Sequence, residues 1–347
     1  MDKVLFAGTA VTREGAVGSL YKLVHGQQWE KVPDIPDNAA VQAIVQHPQF
    51  ENIIFAATRK GIYKSEDKGN TWRDVRASAD PKFQFWSVEV DPRDPNHLFA
   101  GTAPISVFES HDCGETWTEC AVDHPARFTI RFGASRVMRL AFHPTDPNVL
   151  YGIAEINGFM LSTDAGKTWK ARTGGIVALS QHEHLKSRIE TDDDAEGMFD
   201  AHAVTTTPAA PDSLFYLCRM GVFESRDQGA TFEDLKVGQF APFSYCRDLR
   251  IVAGQPNKMY ACFSISSRSN AGAVYTSDDL GRTWRRADGS VTPQSTIMGI
   301  NVHVRDGGGV VSATRGGQVF YTFDGAETWT ETQLPADAGD AFCVAMI

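Results

Sequence analysis

A basic surplus is missing from this chain: 33 lysines and arginines face 43 aspartates and glutamates, for a formal net charge of -10. Nucleic acid needs a positive footprint, so it is excluded as the expected partner. Long apolar runs are missing as well. Nothing approaches the roughly 20 apolar residues that span a bilayer, so no membrane association is expected. The first apolar run, residues 4–7, is too short for a secretory leader and reads as a strand. Six cysteines (Cys113, Cys120, Cys218, Cys246, Cys262 and Cys343) include no C-x-x-C pair, which removes the familiar zinc and redox motifs. They read as reduced packing thiols, and the expected location is cytoplasmic.

What the chain does have is a repeat. The pattern Ser-x-Asp-x-Gly-x-Thr-Trp occurs at Ser65 to Trp72, Ser110 to Trp117, Ser162 to Trp169 and Ser277 to Trp284. Ser225 to Phe232 puts Phe in the Trp slot, Thr322 to Trp329 is a looser copy, and a decayed first copy keeps only Gly26 and Trp29. The closing aromatics stand 43, 45, 52, 63, 52 and 45 residues apart, the period of a four-stranded propeller blade. Each unit holds short runs of β-branched and aromatic residues separated by Pro, Gly, Asn and Asp, which are strand and turn signals. The turn Asp91-Pro-Arg-Asp-Pro-Asn96 recurs as His143-Pro-Thr-Asp-Pro-Asn148.

Residues 4–8 match a blade's second strand, and residues 341–347 match an innermost strand. Together they complete one blade, which leaves no free edge. The expected fold is therefore all-β: one domain over 1–347, a seven-bladed β-propeller of four-stranded antiparallel blades, the C-terminal strand completing the N-terminal blade. Two insertions interrupt it, at 122–135 (with His124, Arg127, Arg131 and Phe132) and at 174–197, where a solvated, mobile lid is expected.

The motif resembles the Asp-box, or BNR repeat, of sialidases, sortilin-type receptors, xyloglucanases and photosystem II assembly factors. In such a motif Asp and Ser or Thr lock their own turn, Gly takes a conformation other residues resist, and Trp packs beneath. Asp67, Asp112, Asp164, Asp227 and Asp279 are therefore expected to be turn locks, and function must be sought elsewhere. The chain departs from sialidases, which are six-bladed and carry a Phe/Tyr-Arg-Ile-Pro motif absent here. Xyloglucanases pair two seven-bladed domains, and the photosystem factors are exported to the thylakoid lumen.

In a propeller the ligand face is where innermost strands begin, next to the loops between second and third strands. Those loops hold Arg13, Arg59, Arg219, Arg268 and Arg315, together with Glu155 and Asn157. Guanidinium groups recurring in an acidic protein make a positive funnel suited to carboxylate, sulfate or phosphate. The innermost strands start with Gln84 and Trp86, Arg136 and Arg139, Asp200 and His202, and Tyr245 and Arg247. Residues two apart share a face, so Asp200 is expected to orient His202 as a general base. Arg59, Arg136, Arg139, Arg219, Arg247, Arg268, Arg315, Trp86, Tyr245 and Glu155 are expected to bind substrate. No cofactor is required; a divalent metal on His182, Glu183, His184 and His202 is the alternative.

Two functions fit. One is a hydrolase or lyase acting on a small anionic or polar molecule. The other is a noncatalytic scaffold or assembly factor binding an acidic segment of a partner protein.

Overall fold

In a computed structural model, residues 3–24, 28–76, 80–128 and 133–347 are described. Gly26, Arg131 and Phe132 lie outside these residues. Seven sheets follow one another, with strands ordered from the axis outward. Blade 2 comprises Val41–Gln46, Ile54–Thr58, Gly61–Ser65 and Arg73–Asp74. Blade 3 comprises Gln84–Val90, Leu98–Ala103, Val107–Ser110 and Thr118–Glu119. Blade 4 is built from Val137–Phe142, Leu150–Ala154, Gly158–Ser162 and Thr168–Ala171. Blades 5, 6 and 7 begin with Ala201–Thr207, Tyr245–Val252 and Ile297–Val302.

Blade 1 draws on both parts of the chain. Asp340–Met346 pairs antiparallel with Leu5–Ala10, Leu5 facing Met346 and Gly8 facing Cys343. Leu20–Val24 and Gln28–Lys31 complete the sheet. The innermost strand Asp340–Met346 packs between those of blades 2 and 7. Blade 4 departs from four strands. Ala121–Asp123, which overlaps the start of the insertion expected at 122–135, adds a fifth strand parallel to Thr168–Ala171.

The turn locks work by hydrogen bonding. Asp67 accepts from the Thr71 backbone N–H (2.9 Å) and hydroxyl (2.7 Å), while Ser65 Oγ accepts from the Gly69 N–H at 2.8 Å. The same bonds recur around Asp112, Asp164, Asp227 and Asp279. Gly69 has φ of +76°, and a Cβ there would stand 2.2 Å from the Phe6 ring, so glycine answers both a conformational and a packing demand. The Trp side chains fill the spaces between blades, Trp169 with 0% exposure.

Residues 174–197 do not form a solvated lid. They fold into a short helix Gly174–Leu179 and a 3-10 turn Glu183–Leu185, and the chain leaves through a second helical turn, Glu196–Phe199. Ile176, Leu179, Leu185, Met198 and Phe199 enter the core between blades 4 and 5. The buried Glu196 carboxylate accepts the backbone N–H groups of Ile189, Glu190 and Thr191 at 2.7 to 3.0 Å, closing the loop around itself. Among the described residues no helix is long and apolar enough to cross a membrane.

Candidate anion site at the channel mouth

Each innermost strand carries a β-bulge near its start. The pairing passes from Val41 to Ala43, Phe85 to Ser87, Val137 to Arg139, Ala201 to Ala203, Cys246 to Asp248 and Ile297 to Gly299. In blade 1 it passes from Cys343 to Ala341. The skipped residues are Gln42, Trp86, Met138, His202, Arg247, Met298 and Phe342, one from every blade. A bulge sets two residues opposite one and re-aims the extra side chain, so these seven form a ring where the strands converge. Gln42, Trp86 and His202 are buried; Gln42 Nε2 and Trp86 Nε1 have no hydrogen-bond partner, and His202 Nε2 faces Asp200 Oδ1 at 3.4 Å.

Guanidinium groups surround the ring. Arg136 and Arg59 stack on Trp86, at 4.2 and 5.2 Å from its ring. Arg136 is ion-paired to Glu155, whose other oxygen lies 3.6 Å from Arg247. Arg219 Nε is 3.0 Å from Asp200 but misaligned for a hydrogen bond, and Arg315 reaches Asp340 at 3.2 Å. Like charges crowd one another here. Burial, and then Arg136, lowers the pKa of Arg59; burial, and then Arg247, lowers that of Arg315. Burial pushes the carboxyl of Glu155 up, but Arg136 and Arg247 outweigh it, and Glu155 is lowered overall. Burial likewise opposes ionisation of Asp200, yet His202, Arg219 and Arg247 bring it down to about 2. Five arginines thus meet three carboxylates, leaving positive charge at the mouth of an acidic protein.

His202 is oriented by a different group from the one expected. Its Nδ1 lies 2.7 Å from the Cys246 carbonyl oxygen, which can only accept, so Nδ1 carries a hydrogen. Asp200 Oδ1 faces Nε2 at 3.4 Å instead of supporting the ring from behind. The Tyr245 ring covers the imidazole at 4.8 Å, and burial pushes the Tyr245 phenol up to about 12.

Other expected residues fall elsewhere. Arg139 lies beyond the bulge, where the strand's alternation has been reset; it contacts Asp248 at 3.1 Å and lines a separate 170 Å³ cavity with Glu89 and Arg250. Arg268 is exposed and enters no ion pair among the described residues. Arg13 donates to the Ala336 and Ala338 carbonyls. The suggested metal set does not assemble: His184 is exposed against Asp234 (2.9 Å), while His202 is buried beside Asp200 and Glu155. The two insertions do meet, through Arg127 and Asp193 (2.8 Å) and the Phe128 and Phe199 rings (5.5 Å). Gln42, Met298, Asp340 and Phe342 escape sequence reasoning. A count back from the first turns of blades 2 and 7 would reach Gln42 and Met298, but only pairing reveals the bulges and places Asp340 and Phe342.

The family model for sortilin, the neurotensin receptor 3, matches residues 24–105. A probable oligoxyloglucan-reducing end-specific xyloglucanase of Neosartorya fischeri is 30% identical over 156 residues, 42% of this chain and 19% of the relative. A second such xyloglucanase, from Emericella nidulans, is 28% identical over 148 residues. The chain therefore spans under a fifth of these relatives' length. Among solved structures, an ancestral GH74 enzyme has a TM-score of 0.58 at 14% identity, covering 88% of this chain and 38% of that one. YCF48 from Cyanidioschyzon merolae has a TM-score of 0.58 at 13% identity and 90% coverage of both chains. These likenesses establish the fold. The chain is a seven-bladed propeller of the Asp-box kind, with partial sequence similarity to xyloglucanases.

Proposed function

We propose that this protein is a hydrolase- or lyase-type enzyme that takes a small carboxylate- or phosphate-bearing substrate into the bulge ring. The observation that carries this reading is the pair of unpartnered polar atoms on Gln42 and Trp86, together with His202 Nε2, which Asp200 approaches at 3.4 Å, all buried at the arginine-lined ring. A buried polar atom without a partner is costly, and a ligand that supplies the missing bonds removes the cost. Arg219, Arg247 and Arg315 hold the anion, and the indole N–H and Gln42 amide orient it. With Nδ1–H held on a carbonyl, His202 Nε2 is the atom left to accept a proton, and Asp200 stabilises the imidazolium that forms. The six free thiols suit a reducing compartment, and we place the enzyme in the cytoplasm on that ground.

A thermal-shift panel of small carboxylates and phosphate esters, followed by mass-spectrometric detection of turnover, tests the reading. Wild type is expected to be stabilised by and to convert a hit. Arg315→Ala should lose the stabilisation, and His202→Gln should lose turnover while binding survives. If no anion shifts wild type, or if Arg315→Ala responds identically, the reading fails.

One observation favours a second reading. A YCF48 structure similar to this fold (TM-score 0.55, 13% identity, covering 84% of this chain and 80% of that one) is bound to a D1 peptide. On that reading the same arginines receive an acidic segment of a partner, and peptides of that type bind without being converted.

A further inference from the structure

On the rim of blade 3, away from the mouth, three metal-ligating side chains converge. His97 Nε2 lies 2.8 Å from Glu109 Oε1, and His111 Nε2 lies 3.2 Å from the same oxygen. The ligand atoms all lie within 4.8 Å of one another, and the two imidazoles stack at 4.6 Å with planes 8° apart. We propose that His97, Glu109 and His111 form a binding site for a divalent transition-metal ion, zinc being the closest chemical fit.

Each ligand comes from a different structural feature. His97 closes the turn before Leu98–Ala103, Glu109 lies in Val107–Ser110, and His111 is the variable residue of the Asp-box turn. Strand pairing aligns Ser110 with Leu98, which sets His97 beside Glu109 and His111. The corresponding trio is Ile53, Lys64 and Glu66 in blade 2, and Val149, Leu161 and Thr163 in blade 4. In blade 5 it is Ser213, Glu224 and Arg226, closed by an ordinary hydrogen bond of 2.7 Å and an ion pair of 3.0 Å. The fold therefore brings these positions together everywhere but does not need histidine at any of them.

The surroundings suit a cation. Asp91 Oδ2 stands 3.4 Å from His97 Nδ1, the carboxylate behind a ligating imidazole that fixes its direction. Asp91 also neutralises the nearby guanidinium of Arg93, at 2.9 Å. Two imidazoles and one carboxylate on three attachment points suit zinc, cobalt or nickel and leave positions open. Bound metal would clip the Asp-box turn to the turn between the first two strands.

Cobalt(II) titration of the full chain, read by visible absorption and followed by zinc competition, tests the site. Wild type is expected to bind one equivalent and to gain Tm with zinc. His111 is 71% exposed, so His111→Ala should fold with unchanged metal-free Tm, yet bind at least about tenfold more weakly and lose the zinc-dependent gain. Glu109→Gln should weaken binding comparably, and His184→Ala, altering the remote surface histidine, should not. Equal affinity in wild type and His111→Ala, or loss of binding in His184→Ala instead, would overturn the assignment.

Discussion

Carboxylates in this protein do three different jobs, and their environments separate them. In the Asp-boxes, backbone and hydroxyl donors favour the ionised form: burial opposes ionisation of Asp112, but Thr116, Ser110 and the Glu115 N–H bring it down to about 2. A depressed folded-state pKa stabilises the fold above the ordinary carboxylate range, and that stabilisation fades as pH falls through the folded value. Urea midpoints measured from pH 5 to pH 2 should therefore fall more steeply for wild type than for Asp112→Ala. Glu89 has the opposite sign, because burial pushes it up to about 7 against the pull of Arg250 and Arg139. Its ionisation favours the unfolded chain progressively between its ordinary pKa and pH 7. Glu89→Gln should accordingly gain stability relative to wild type as pH rises from 4.5 to 7 and then level off, as read by denaturant melts across that range. Asp200 and Glu155 do the third job, staying ionised to position arginines at the mouth.

Single elements hold together through features that local patterning conceals. The segment 174–197 has the polar composition of a lid, yet Glu196 gathers three backbone donors and its apolar residues seal blade 4 against blade 5. Glu196→Ala leaves those donors without their buried acceptor and should cost about 1–3 kcal/mol. Hydrogen exchange should show amides 189–191 losing protection first. Trp169 is wholly buried against Phe99, ring to ring at 6.0 Å. Trp169→Ala should cost ~3–5 kcal/mol in chemical denaturation. Because it lies beneath an Asp-box and not at the ring, the anion binding proposed for the ring should be unchanged in the remaining folded protein.

Across the whole molecule, blade 1 ties residues more than 300 positions apart, as in the pairing of Leu5 with Met346. Removing 340–347 would strip Leu5–Ala10 of its inner neighbour and take Phe342 and Asp340 from the mouth. Loss of cooperative melting, with aggregation through the exposed strand edge, is expected by calorimetry and size-exclusion chromatography. The seven-blade count and this pairing were legible because repeat period and strand-like termini are properties of local sequence. Arg136, Glu155, Asp200, Tyr245, His202 and Arg247 were legible as a group because the repeat supplies equivalent positions. Arg139 was misplaced because one bulged residue resets which side chains follow on the channel side. The alternative metal set of His182, Glu183, His184 and His202 does not assemble, because His184 stays on the surface against Asp234 while His202 is buried.

The sequence by itself determined the ring: its seven units, its turn chemistry and the face on which to look, all of which depend on residues near one another along the chain. Tertiary structure decided which side chains meet on that face. Bulges place Gln42, Trp86, Met138, His202, Arg247, Met298 and Phe342 at one level, and a Cys246 carbonyl orients His202 from the neighbouring blade. Such contacts depend on pairing register and on distances between separate blades, which no local pattern of residues encodes.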